Sequence, residues 1–200
     1  MAVKDHSLDD KIIQAAKAEF LEYGFQKASL HKIAGRAGIT TGALYTRYKN
    51  KDALFCSLIE PAMADMMQQA QPIAQMYEKV QSKDDLPLFL AAMQEETRVY
   101  LDILFRYYDA CVLLFCKSAG SSVERTMNAV MEQKAQGTVE FLEHLSHKKI
   151  DGIEFIMREQ FSFFSLILEK GYGIEKTIAC LRTFEEFNEA GWKHLFEAWL

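Results

Sequence analysis

Between Tyr23 and Lys51 the chain holds six cations, Lys27, Lys32, Arg36, Arg47, Lys49 and Lys51, and no acid, although the whole chain of 200 residues carries a formal charge of -5. A solvated helix face normally mixes signs, so a single-sign stretch inside an acidic protein points to a polyanionic partner. Hydroxyls are interleaved with the charge, at Ser29, Thr40, Thr41, Tyr45 and Tyr48. Such donors can share an anion with the cations around them. Other chemistry is sparse. His144 and His147, with Glu140 and Glu143, sit three and four apart, but polar helix faces produce such pairs routinely and no metal is expected. A glycine-rich phosphate loop, GxSxG and HExxH are all missing, so neither catalysis nor a cofactor is expected. Cys56, Cys111, Cys116 and Cys180 lack CxxC spacing and read as free thiols.

The elements that must position these residues are helices. Only 10 Gly and 3 Pro punctuate a chain that is half hydrophobic, and its commonest residues lose little rotamer freedom in a helix. The fold class is therefore all-α, with about nine helices. The longest strongly apolar uncharged run, Ala110 to Cys116, is far short of the roughly 20 residues of a membrane span. The first residues lack the apolar core of a signal peptide, and a cytoplasmic location is expected. Residues 1–55 hold nine Lys/Arg against six Asp/Glu, while the remainder holds fourteen against twenty-two. That asymmetry predicts two domains, a basic one over 1–50 and a larger acidic one over 51–200.

Apolar spacing through Ile12, Ala15, Ala16 and Phe20 predicts a first helix over about 8–23, stopped by Gly24. Ser29 is a natural N-cap for a second helix with Leu30, Ile33, Ala34 and Ala37 inward, and Gly38 supplies the left-handed turn after it. Thr40 caps a third short helix and Asn50 a fourth that begins at Lys51. Two short helices joined through Gly38, with small residues at their crossing, form a helix-turn-helix. The fourth helix is predicted to kink near Pro61 and end before Pro72. Longer helices follow over about 86–117 with a break near Leu101, 122–147, 151–170 and 174–199.

The run from Ser29 to Leu54, SLHKIAGRAGITTGALYTRYKNKDAL, together with Ile12, Ala16, Phe20, Gly24 and Phe25, resembles the DNA-binding signature of TetR-type transcriptional regulators. It departs mildly, with Arg47 where that family often has His, Tyr48 where it often has Phe and Asp52 where Glu is common. The resemblance implies that the helix from Thr40 to Tyr45 enters the major groove of double-stranded DNA with Thr41 and Gly42 nearest the bases. It also implies that Ser29, Tyr45, Tyr48 and Lys51 contact phosphates, to which Arg47 adds a charge.

The last two helices are too apolar to be wet on one side, and the resemblance implies that they pair with a second copy. Ile156, Gln160, Phe164, Ile167, Leu181, Phe184 and Trp192 are the expected interface residues, with a thicker monomer core as the alternative. Met63, Met67, Phe89, Met93, Tyr100, Phe105 and Tyr108 could be core, but the resemblance implies that this region encloses a small-molecule effector. Its sulfur and aromatic content fits an apolar or aromatic compound, and Glu96, Asp102 and Asp109 would suit a cationic one. The expectation is a homodimeric repressor released from a palindromic operator by such an effector. An activator or constitutive binder of the same fold, and a helix-turn-helix that docks an acidic protein, remain alternatives.

Overall fold

The computed structural model describes residues 6–199, and among them every regular element is helical. The nine helices are α1 (His6–Lys27), α2 (Leu30–Ala37), α3 (Thr41–Arg47), α4 (Lys51–Glu78), α5 (Leu86–Arg106), α6 (Tyr108–Cys116), α7 (Ser122–Ser146), α8 (Ile153–Glu169) and α9 (Ile174–Trp199), with one 3-10 turn at Lys83–Asp85. They form two compact units, Met1–Met63 with Asp109–Thr126 and Ala64–Tyr108 with Met127–Leu200. Packing divides α4 at Met63/Ala64 and returns residues 109–126 to the first unit.

In the first unit Ile12, Ala16 and Phe20 of α1, Ile33 and Ala37 of α2, Leu44 of α3 and Leu54, Phe55 and Ile59 of α4 are buried. Phe55 packs edge-on against Phe20 at 5.0 Å and Phe25 at 5.2 Å. Burial of each such ring is worth about 1.5 to 3 kcal/mol. Gly24, at φ 71 and ψ 168, interrupts α1. The interruption frees the Phe25 N–H to donate to the Lys117 carbonyl at 2.8 Å, which ties α1 to the end of α6. A side chain would be strained at that φ.

Phe89 centres the core of the second unit, with ring contacts to Phe196, Tyr77, Trp192 and Phe141 at 5.0 to 6.2 Å. Val80, Leu142, Ile153 and Met157 are buried with it. Here two expected boundaries move. Helix α4 does not end before Pro72 but runs to Glu78. Pro72 is exposed, and so is Gln68, whose carbonyl loses its donor, while Ile73 beyond it is buried and holds the helix to the core. The break expected near Leu101 falls at Tyr107, whose N–H still donates to the Ile103 carbonyl at 2.8 Å. No described helix is long and apolar enough to cross a membrane.

Candidate nucleic-acid interface

Helix α2 is fixed at both ends by the residues that sequence logic assigns. The Ser29 hydroxyl accepts the Lys32 N–H, and Gly38, at φ 74 and ψ 28, closes the other end with its N–H and that of Ile39 on the carbonyls of Gly35 and Ala34. Thr40 caps α3 by accepting the Ala43 N–H at 3.1 Å. Leu44 is the buried residue of α3 and anchors it to the unit. That leaves Gly42, Tyr45 and Thr46 exposed, with Tyr45 at 52% and Thr41 partly covered. Tyr48 is half-buried and closes α3 with its N–H on the Leu44 carbonyl.

Two of the expected phosphate ligands already have partners inside the unit. The Arg47 guanidinium donates to Asp9 at 2.8 Å. The Lys51 ammonium donates to the carbonyls of Gln26 at 3.0 Å and Ala28 at 3.2 Å, and its burial lowers its pKa. Lys51 thus satisfies carbonyls at the end of α1 that no helix donor reaches. Lys27, Lys32 and Lys49 remain exposed, Lys32 lying 4.7 Å from the Tyr23 ring.

Buried and half-buried carboxylates hold this surface together. Glu19 has no exposure, accepts the Ser29 N–H at 3.1 Å through Oε1, and presents Oε2 to Arg36 at 3.4 Å without a hydrogen bond. Asp52, in the first turn of α4, accepts the Ser122 N–H at 2.8 Å and the Ser122 hydroxyl at 2.5 Å, so one carboxylate serves the starts of α4 and α7. Burial pushes the Asp52 carboxyl up, but both Ser122 donors and the Arg125 charge outweigh it and leave it below its ordinary value. The Lys17 ammonium reaches Asp109 at 2.8 Å, a further tie between α1 and α6.

The expected effector residues differ in burial. Met67 and Phe105 are exposed at 69% and 67%, because they point away from the core that Phe89 occupies, and Met63 lies in the first unit. Met93, Tyr100 and Tyr108 are half-buried in the second, with the Tyr108 hydroxyl donating to the Tyr172 carbonyl. Tyr100 instead joins Glu96, Tyr77 and Lys134 in a polar cluster that sequence periodicity gave no sign of. Of the expected interface residues, Ile167, Leu181 and Trp192 are buried within the chain itself, Trp192 against Phe89. The Gln160 amide donates to Asn188, Phe184 stacks on Phe163 at 3.8 Å, and Phe164 lies beside Tyr100. Ile156 is exposed, as are Phe155, Leu166 and Phe187. Glu143 accepts the Ile150 N–H, and no three His, Cys, Asp or Glu cluster around a common point among the described residues. Cys111 is buried, which pushes its thiol up to about 12.

Residues 12–58 match the bacterial regulatory proteins of the tetR family. The probable acrEF/envCD operon repressor of Escherichia coli K12 is 34% identical over 61 residues, 30% of this chain and 28% of that protein. The fatty acid metabolism regulator protein of Bacillus subtilis is 30% identical over 81 residues, 40% of this chain and 41% of that one. The matched stretch thus spans between about a quarter and two fifths of these relatives' length. A TetR-like transcriptional regulator from Rhodococcus sp. RHA1 shares the fold with a TM-score of 0.60 at 15% identity, over 95% of this chain and all of that one.

Proposed function

We infer that this chain, which belongs to the TetR family of bacterial regulatory proteins through its residues 12–58, is a transcriptional repressor that binds a palindromic DNA operator as a homodimer and is released by a small apolar or aromatic effector. The observation that carries DNA reading is the capped α3. Its first turn is held by Thr40, its inner side by Leu44, and Gly42, Tyr45 and Thr46 are left outward. Thr41 and Gly42 read bases, Tyr45 and Ser29 position the phosphate backbone, and the exposed lysines 27, 32 and 49 supply the charge. Tyr48, Arg47 and Lys51 brace the helix, Arg47 through Asp9 and Lys51 through the end of α1.

Repression is supported by the operon repressor among the relatives, and an apolar effector by the relative that regulates fatty acid metabolism. The exposed Phe155, Ile156, Leu166 and Phe187 on α8 and α9 support pairing with a second copy. The larger unit would then hold effector and partner, and the first unit DNA.

Selection of bound duplexes from a random library tests the reading. The expected pool is a pseudo-palindrome with half-sites about one helical turn apart, roughly 34 to 36 Å. Thr41→Ala changes the preferred bases, whereas Tyr45→Ala lowers affinity for every sequence alike. A pool with no enriched palindrome refutes it.

A further inference from the structure

Helices α4, α5 and α7 of the second unit bring four polar side chains together beside aromatic rings. The Tyr77 hydroxyl donates to Glu96 Oε2 at 3.1 Å, and the Tyr100 hydroxyl donates to Glu96 Oε1 at 2.9 Å. The Lys134 ammonium donates to the same Oε1 and lies 3.3 Å from the Tyr100 hydroxyl oxygen. Phe89 meets the Tyr77 ring edge-on at 5.8 Å, and Phe164 lies 6.4 Å from the Tyr100 ring. Both carboxylate and ammonium are largely covered, with side-chain exposures of 21% and 33%.

A covered ion pair is a weak source of stability, because apolar residues of similar volume hold a helix interface as well or better. Convergent polar groups against aromatic walls are instead the anatomy of a ligand site. We propose that Tyr77, Tyr100 and Lys134 form a carboxylate-binding subsite, occupied by the chain's own Glu96 in the free protein, which takes the acidic head of an amphiphilic effector. The proposal rests on the effector reading above and names the chemical class that the effector belongs to.

The donor count sets that class. Two hydroxyls and an ammonium converge on one carboxylate, and Oε1 is shared by two of them while Oε2 takes one. An entering carboxylate draws Lys134 and Tyr100 from the shared oxygen, and Glu96 keeps Tyr77 through the other. Burial brings Lys134 down to about 8, so the ammonium depends on an anion beside it, and an entering carboxylate competes with Glu96 for that place. The cationic effector that Glu96 alone would suit has to displace Lys134 first.

Calorimetric titration of the full chain with decanoate, decan-1-ol and decylamine, below their aggregation limits, tests the proposal with one skeleton and three heads. Acetate and hexanoate, titrated into Glu96→Ala, test refilling of the vacated position independently of skeleton. Decanoate is expected to bind about tenfold or more tightly than decan-1-ol, the gain of one charge-assisted hydrogen bond, and decylamine more weakly than either. Lys134→Met removes the preference for decanoate over the alcohol, while Glu96→Gln, which leaves the ammonium without its anion, tightens decanoate by about tenfold. A cluster that only braces the bundle weakens under both substitutions. Where Lys134→Met does not fold, Tyr100→Phe removes one donor and keeps the ring, and cuts the preference by about fivefold.

Equal binding of the three heads, or a preference untouched by both the Lys134 and the Tyr100 variants, overturns the proposal. So does a chain that neither binds decanoate nor is stabilised by acetate or hexanoate in Glu96→Ala. Operator release is measured separately by fluorescence polarisation. Decanoate that obeys these rules yet leaves DNA affinity unchanged keeps the subsite and removes the effector reading, and release by the alcohol as efficient as by the acid does the reverse.

Discussion

Glu19→Ala is the substitution most sensitive to how α2 is held. Glu19 is fully buried on α1, and its Oε1 accepts the backbone N–H of Ser29, the N-cap of α2. Truncation leaves that N–H without its acceptor, at about 1 to 3 kcal/mol, and loses the burial of the Cγ methylene, about 0.8 kcal/mol. The total, about 3 kcal/mol, lowers the melting temperature of a chain this size by roughly 6 to 12 °C. Glu19→Gln separates the contributions. It keeps an acceptor for Ser29 and gives up the attraction to Arg36, whose side chain is 43% exposed, so about 1 kcal/mol is expected. Urea unfolding of the full chain followed by circular dichroism reads both, as a shift of midpoint at constant slope. Operator affinity of the Gln variant should stay within about twofold of wild type. An Ala variant that loses less than about 1 kcal/mol, or a Gln variant as damaged as Ala, refutes the view that the Ser29 N–H depends on this carboxylate.

Three further outcomes follow from the same contacts. With Arg47 and Lys51 engaged internally, two or three lysines per subunit reach phosphates, so a dimer should show a slope of log affinity against log salt of about -4 to -5, measured by polarisation between 50 and 200 mM salt; a slope nearer zero than about -2 contradicts DNA binding by this face. Phe187 is exposed at 74%, so Phe187→Glu should give a folded monomer by light scattering, whereas Phe164→Glu, beside Tyr100, should unfold the second unit; a Phe187→Glu dimer as stable as wild type places the contact elsewhere. Native Lys134 has lost its proton above about pH 8 while the unfolded chain still binds one up to about 10.5, so stability must rise with pH across that window. Screened by its one-third exposure, the gain over Lys134→Met should be about 1 to 2 kcal/mol by urea unfolding between pH 8 and 10, before Tyr77 and Tyr100, both raised by burial, act in the opposite sense above pH 10; no relative gain counts against a desolvated ammonium.

The fold class and the helix-turn-helix were legible because their causes are local. Ser29, Gly38, Thr40 and Asn50 each act on backbone groups within four residues, and each takes the capping or turn role that its chemistry dictates. Boundaries that depend on distant packing were not legible. Pro72 argues locally for an end to α4, yet Ile73, the next residue, is buried and holds the helix through it. At the α5/α6 break no glycine or proline marks Tyr107, so only the bend itself reveals it.

The candidate site divides along the same line. The α3 residues were legible through the family resemblance, and in the structure the one buried leucine leaves Gly42, Tyr45 and Thr46 outward. What braces that helix was not legible, since Asp9 to Arg47 and Gln26 to Lys51 are contacts across 38 and 25 residues. The same holds for apolar stripes, which specify that a face is covered without specifying by what. Trp192 satisfies the pattern by packing on Phe89 of its own chain, while Phe187, off that stripe, is left uncovered, as is Phe155. Glu96 and Lys134 are 38 residues apart on different helices, and each alone looks like an ordinary surface charge. Only their convergence with two tyrosines turns separate positions into a cluster with the donors and the charge to hold an acid.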